Sequence, residues 1–225
     1  MMADKPNITA LILAGGRGSR MGSVDKGMQP FNGLPMIVHV LARLAPQVDD
    51  VIINANRRVD AYAALGDSHG GYRVIPDAIG GFAGPLAGLQ VGLLNATTPL
   101  VVTAPCDSPF LPLDLVARLF TGLEKANADL AVAKTFDQVH PVFCLVKRDL
   151  EPHLRAFLET GQRKIDKWYA SLNVVEISFD DTASAFENIN TLAELERLES
   201  LEMPVQPSVS GADAQTGAAK LPHGN

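Results

Sequence analysis

The 225-residue chain is 47% hydrophobic and carries a formal net charge of −6. That is enough apolar material for the core of one α/β domain, and the wrong overall sign for a broad nucleic-acid or membrane surface. Cys106 and Cys144 lie far apart with no CxxC pair, which suggests neither a disulfide framework nor a zinc site. The polar start MMADKPN does not resemble a secretory signal, and the apolar run from Ile8 to Ala14 is too short to span a bilayer. A reducing, cytoplasmic location is expected.

Short β-rich runs alternate with amphipathic segments, the pattern of a parallel α/β sheet. Ile8 to Leu13 reads as a buried first strand, and Gly15 to Gly27 as a loop because it is dense in glycine and charge. Ile37, Val40, Leu41 and Leu44 then fall at the spacing of one helix face, predicting a helix over Met36 to Leu44. A strand is predicted at Val51 to Ala55, a short helix at Asp60 to Leu65 and a strand at Tyr72 to Ile75. A glycine-rich connection, DAIGGFAGPLAGL, leads to a helix around Leu89 to Leu94, and Leu100 to Ala104 is a central strand ending at Pro105-Cys106-Asp107. A helix from about Leu113 to Lys125 has Pro112 at its first turn. Strands follow at Leu130 to Ala133 and Val142 to Val146, a helix at Leu150 to Glu159, and a strand at Val174 to Ile177. Thr191-Leu-Ala-Glu194 is a capping box for a last helix with Leu192, Leu195 and Leu198 on one face. Residues 1–7 read as an N-terminal extension, 8–203 as one domain, and 204–225, poor in apolar bulk, as a disordered tail.

In an open parallel sheet, ligands bind beyond the carboxyl ends of the strands. After the first strand stands LAGGRGSRMGSVDKG, in which glycines let backbone N–H groups approach an anion. Between Arg17 and Lys26 there are three cations (Arg17, Arg20, Lys26) against one anion, Asp25, an unusual excess in an acidic chain. The string is not a P-loop, since it lacks GxxxxGK followed by Ser or Thr. Nor is it a dinucleotide fingerprint, because Gly16-Arg-Gly18-Ser-Arg-Met-Gly22 is one residue too long. A glycine-rich loop in itself is also consistent with a plain surface loop. Asp107 ends a central strand between prolines. Such an aspartate commonly caps a helix, but at this sheet edge it also suits Mg²⁺, which takes one or two protein carboxylates. Asn54 and Asp77 lie at or just beyond the ends of the second and third strands, where each could simply terminate its strand.

Read whole, LAGGRGSRMG followed by DKG resembles the nucleotide-binding signature of the nucleotidyltransferases. With NANR at Asn54, PD at Asp77, GPLAG at Gly84, PCDSP at Pro105, HP at His140 and NIN at Asn188, the chain is similar to the molybdenum cofactor guanylyltransferases, the MobA family. The resemblance implies a single-domain, Rossmann-like α/β nucleotidyltransferase fold, with a mostly parallel central sheet flanked by helices. It implies transfer of GMP from GTP to molybdopterin or the molybdenum cofactor, with Mg²⁺ as cofactor. Cofactor-insertion proteins and acceptor molybdoenzymes are further implied partners; nucleic acid and membrane are not. Leu13, Ala14, Gly15, Gly16, Arg17, Lys26, Asn54, Asp77 and Asp107 are the implied nucleotide contacts. Lys26, Asp107 and Arg20 are the catalytic group, Asp107 the metal ligand and Asn190 a second one. His140, Arg163 and Lys164 are offered for the acceptor. His140 also reads as a turn residue, Arg163 and Lys164 as ordinary solvated cations, and Cys106 as a small buried residue.

Three other readings stay open. The same chemistry with CTP is the nearest, although LAGG resembles the guanine-using members and cytidine-using relatives tend towards LAAG. A sugar-phosphate nucleotidyltransferase is the second, although those are often longer. The third is a non-catalytic nucleotide-binding protein of the same fold, for which loss of Lys26 or Asp107 would have spoken.

Overall fold

The computed structural model describes residues 7–15, 25–65, 72–77, 84–187 and 194. Gly16, Arg17, Arg20, Asn188, Asn190 and the segment 204–225 therefore lie outside the described residues, as does the capping box apart from helical Glu194.

The first strand, β1, is Ile8–Leu13, five of its six residues buried because it is sandwiched between helices on both faces. A two-stranded hairpin follows, β2 (Pro30–Phe31) and β3 (Leu34–Pro35), closed by Asn32 and Gly33. Both have positive φ, 47° and 78°, as a two-residue type I′ turn requires. Hydrophobic periodicity does not register this hairpin because each strand is two residues long. Helix α1 (Met36–Leu44) and strand β4 (Asp50–Asn54) come next, then α2 (Val59–Ala64) and β5 (Arg73–Ile75).

Helix α3 is Pro85–Asn95, beginning four residues before the expected Leu89. Glycine lowers helix propensity, so Gly84 and Gly88 make its first turn read as loop. The glycines within the helix are needed for packing: a Cβ at Gly92 would stand 2.4 Å from a methyl of Leu11. Strand β6 (Leu100–Pro105) leads to α4 (Leu115–Ala126), whose N-cap is Asp114. Pro112 is thus upstream of the first turn and not in it. Instead its carbonyl accepts from Gln47 at 3.0 Å. Strands β7 (Leu130–Thr135) and β8 (Gln138–Lys147) form a tight hairpin, and β8 is twice the expected length. Helix α5 (Glu151–Glu159), an unforeseen short α6 (Ile165–Tyr169) and β9 (Val174–Ser178) follow, and a 3₁₀ segment at Asp180–Phe186 comes after them.

The sheet order is β5-β4-β1-β6-β8-β7-β9. All neighbours run parallel except β8, which is antiparallel to β6 and β7 because a two-residue loop can only reverse the chain. One apolar layer, with α1, α2 and α4, packs on one face through residues such as Ile37, Tyr62 and Leu119. The other, with α3, α5 and α6, includes Leu89, Leu154 and Trp168. The register then sets the site. Leu13 pairs with Asn54 and with Pro105, and Asn54 with Ile75, so four parallel strands end side by side.

Candidate active site

Whatever follows Leu13, Asn54, Ile75 and Pro105 is delivered to one edge, within a few strand spacings of ~4.8 Å. Backbone hydrogen bonds carry the order one step past the sheet. Ala14 N–H donates to Asn54 O at 2.8 Å, Cys106 N–H to Leu13 O at 3.2 Å, and Ala55 N–H to Ile75 O at 3.3 Å.

Two side-chain groups form along this edge. In the first, the Lys26 ammonium donates to Asp107 Oδ2 at 2.9 Å, joining residues 81 apart in sequence. Their side chains are 21% and 12% exposed, so the pair is shielded yet reachable by a ligand. Lys26 opens a 3₁₀ turn, Lys26–Met28, directly after the loop, and Asp107 follows β6. Cys106, beside them, is buried, and burial with the neighbouring carboxylates pushes its thiol well above the usual range. It is a neutral packing residue and no nucleophile.

In the second group, the Asp77 carboxylate is held from both sides. Asn54 Nδ2 donates to Oδ1 at 2.9 Å and Asn56 Nδ2 to Oδ2 at 2.8 Å. Asp77 N–H returns a bond to Asn56 Oδ1 at 2.8 Å, and Asn54 also donates to Ile75 O at 3.1 Å. Each carboxylate oxygen has two lone pairs, so this clamp fixes the carboxylate without exhausting its capacity to accept. Asn56 is a site residue that sequence reasoning passed over, although its signal was present. That signal is its place in NANR, two residues after Asn54 and just past the end of β4, from where its side chain also reaches Asp77.

The clamp also explains the second glycine of GPLAG. A Cβ at Gly88 would sit 2.4 Å from Asn54 Oδ1 and 2.7 Å from a Leu13 methyl. Asn54 is 2% exposed and cannot swing away into solvent. Gly88→Ala should therefore displace Asn54 and loosen Asp77. A rise of about tenfold in KM for the nucleotide is expected, with a smaller change in kcat, measured by steady-state kinetics on protein shown folded by circular dichroism. An unchanged KM would mean that Asn54 does not touch the nucleotide.

The residues offered for the acceptor are not joined to either group by any hydrogen bond found among the described residues. His140 lies within β8 and not in a turn. Its Nε2 shares a 2.7 Å hydrogen bond with Thr135 Oγ1, and its ring stacks on Phe186 at 4.8 Å. Burial lowers its pKa, so the ring is neutral near pH 7. Arg163 and Lys164 are exposed on the link between α5 and α6, and Arg163 Nη1 donates to the carbonyls of Leu158 and Gln162, both at 2.7 Å.

The donor chemistry around Asp107 decides which metal it suits. Among the described residues no three His, Cys, Asp or Glu side chains gather into a ready-made cage. A shielded lone carboxylate is nonetheless what Mg²⁺ takes from protein when substrate phosphates supply the remaining oxygens, and one lysine bond leaves the carboxylate with lone pairs to offer. The residues fit that ion and fit a cage-bound metal poorly.

The chain is similar to known proteins over most of its length. A family model described as a MobA-like NTP transferase domain matches residues 10–175. A molybdenum cofactor guanylyltransferase of Bordetella petrii is 54% identical over 201 residues, spanning 88% of this chain and 100% of its own. One from Ralstonia nicotianae is 53% identical, over 88% of this chain and 98% of its own. Among solved structures, molybdopterin-guanine dinucleotide biosynthesis protein A of Archaeoglobus fulgidus superposes with a TM-score of 0.71 at 27% identity, covering 86% of this chain and 97% of that one.

Proposed function

The chain belongs to the MobA-like NTP transferase family, and from that membership we propose that it transfers GMP from GTP to the terminal phosphate of molybdopterin or the molybdenum cofactor. The single observation that carries this reading is the edge itself. It brings a shielded lysine–aspartate pair and a clamped carboxylate to one edge, beyond the carboxyl ends of parallel strands.

In the reaction, an oxygen of the acceptor phosphate attacks the α-phosphorus of GTP in line. A new P–O bond forms as the bond to the bridging oxygen of the β-phosphate breaks. Pyrophosphate leaves with the electron pair, and the product is the guanine dinucleotide form of the cofactor. The acceptor phosphate is ionised at neutral pH, so no protein base is required. Catalysis rests on alignment and charge. Lys26 places its ammonium against the α-phosphate, and Arg17 or Arg20 steadies the pyrophosphate. Asp107 would hold Mg²⁺, which when bound neutralises charge on phosphate oxygens, with Asn190 as a further ligand. Leu13, Ala14, Gly15 and Gly16 line the nucleotide by backbone.

Asp77, fixed by Asn54 and Asn56, accepts from guanine N1–H and N2–H, a donor pair that cytosine and adenine do not present to a carboxylate. Arg163, Lys164 and the neutral His140 serve the acceptor, and cofactor-insertion proteins and molybdoenzymes receive the product. No helix among the described residues is long and apolar enough to cross a membrane.

The test is a nucleotide screen with purified protein and molybdopterin, following pyrophosphate release with GTP, CTP, ATP and UTP. GTP should give the fastest turnover. Faster turnover with CTP would overturn the guanine reading, and no pyrophosphate with any nucleotide would favour a non-catalytic binder of the same fold.

A further inference from the structure

Tyr62, on α2, is fully buried, and its hydroxyl donates to Asp25 Oδ1, across 37 residues of chain. A tyrosine hydroxyl buried this deep needs a partner, and the partner it finds is not in its own layer but in the loop after β1. Desolvation, Asp25 and Cys106 all push its pKa upward, so it stays a neutral donor. The same oxygen lies against Gly27: a Cβ there would stand 2.5 Å from it and 3.2 Å from Cys106 Cβ. Position 27 must therefore be glycine for the turn to seat between Tyr62 and Cys106.

Lys26 is thus flanked by two fixed residues, Asp25 tied by its side chain and Gly27 wedged by its neighbours. Backbone bonds within the turn, Met28 N–H to Asp25 O at 3.2 Å and Gln29 N–H to Lys26 O at 3.1 Å, close the frame. A lysine side chain is long and flexible, so aiming its ammonium at Asp107 requires the Cα to be fixed.

We propose that Tyr62 is a positioning residue for the reaction: its buried hydroxyl anchors Asp25 and so holds the turn that aims Lys26 at the phosphate site. This rests on the reading of Lys26 given above, and it assigns to the second βα unit a part in the chemistry of the first. Tyr62→Phe removes one oxygen and keeps the ring in the core. The turn then loses its tether, and a misplacement on the order of 1 Å near reacting groups costs about 10²-fold in rate at most. A fall in kcat of about tenfold or more is expected, with KM for GTP changing less.

A merely structural role would also lower the melting temperature, so the deciding measurement is a double-mutant cycle in kcat. Wild type, Tyr62→Phe, Lys26→Ala and the double variant are assayed for pyrophosphate release from GTP and molybdopterin, below the onset of melting. If Tyr62 acts through Lys26, Tyr62→Phe slows the wild type but adds little once Lys26 is alanine. An equal loss in both backgrounds, or no loss in the wild type, overturns the positioning role and leaves the Lys26 reading intact. An undiminished rate in Lys26→Ala alone removes the Lys26 reading and the proposal with it. Should Tyr62→Phe fail to fold, Asp25→Ala is carried through the same cycle with the same outcomes, because it cuts the tether from the other side.

Discussion

Asp107→Ala is expected to lower turnover with GTP by about 10²–10³-fold, the loss typical when a charge-stabilising group is removed from a preorganised site. Asp107 has two tasks in the proposed reaction. It offers a carboxylate for Mg²⁺ and accepts the hydrogen bond that holds the Lys26 ammonium at 2.9 Å. Removing it takes away both, so excess Mg²⁺ should restore little activity. The fold should survive. Lys26 is 21% exposed and can turn its ammonium to water, so no unpaired charge is left stranded in the core. The check is a Mg²⁺ titration of turnover beside a thermal melt. Near-normal activity in folded Asp107→Ala would remove the aspartate from the mechanism.

Lys26→Ala is the second large effect, also about 10²–10³-fold in kcat, because the proposed reaction loses the positive charge set against the α-phosphate while the carboxylate remains. Its Mg²⁺ dependence should persist, in contrast to Asp107→Ala. Roles read from sequence alone look separable, one residue for metal and one for phosphate. The direct bond between them makes them a unit. Groups that act as a unit are strongly non-additive, so the double variant should be little slower than the slower single one. Initial rates of the three variants at saturating Mg²⁺ test this. A double variant slowed by the product of the single losses would show that the pair works independently.

Much of the frame was legible in the residues. Ile8–Leu13 and Met36–Leu44 fall where the apolar run and the helix face placed them, because continuous burial and a strong 3.6-residue period leave little choice. Gly84 and Gly88 make the first turn of helix α3 read as loop, whereas Gly88 is small to let the helix lie against Leu13 and Asn54. Local spacing draws Pro112 into α4, but the Leu111 and Pro112 carbonyls first dock against Arg43 and Gln47, tertiary contacts that local spacing does not carry. Strand β8 was foreseen at half its length since Val139, His140 and Pro141 lack a buried alternation; pairing with β7 extends it.

The site divides in the same way. Residue identities at the strand ends followed from motif and position, so Lys26, Asn54, Asp77 and Asp107 were all marked in advance. Which of them touch was not legible. The Lys26–Asp107 bond and the Asn56–Asp77 bond depend on strand order, and strand order is set by packing of the whole sheet. Tyr62 was hidden for a related reason: a tyrosine in a short apolar helix reads as core, and it is core, yet its hydroxyl leaves the core for the loop.

Transfer of the α-phosphate of GTP to the cofactor can be followed directly in one measurement. The protein is incubated with molybdopterin, Mg²⁺ and GTP labelled at either the α- or the γ-phosphate, and the label is followed into the cofactor and into pyrophosphate. The expected result is α-label on the cofactor and γ-label in pyrophosphate, in equal amounts. Label from the γ-phosphate on the cofactor, or release of inorganic phosphate in place of pyrophosphate, would contradict it.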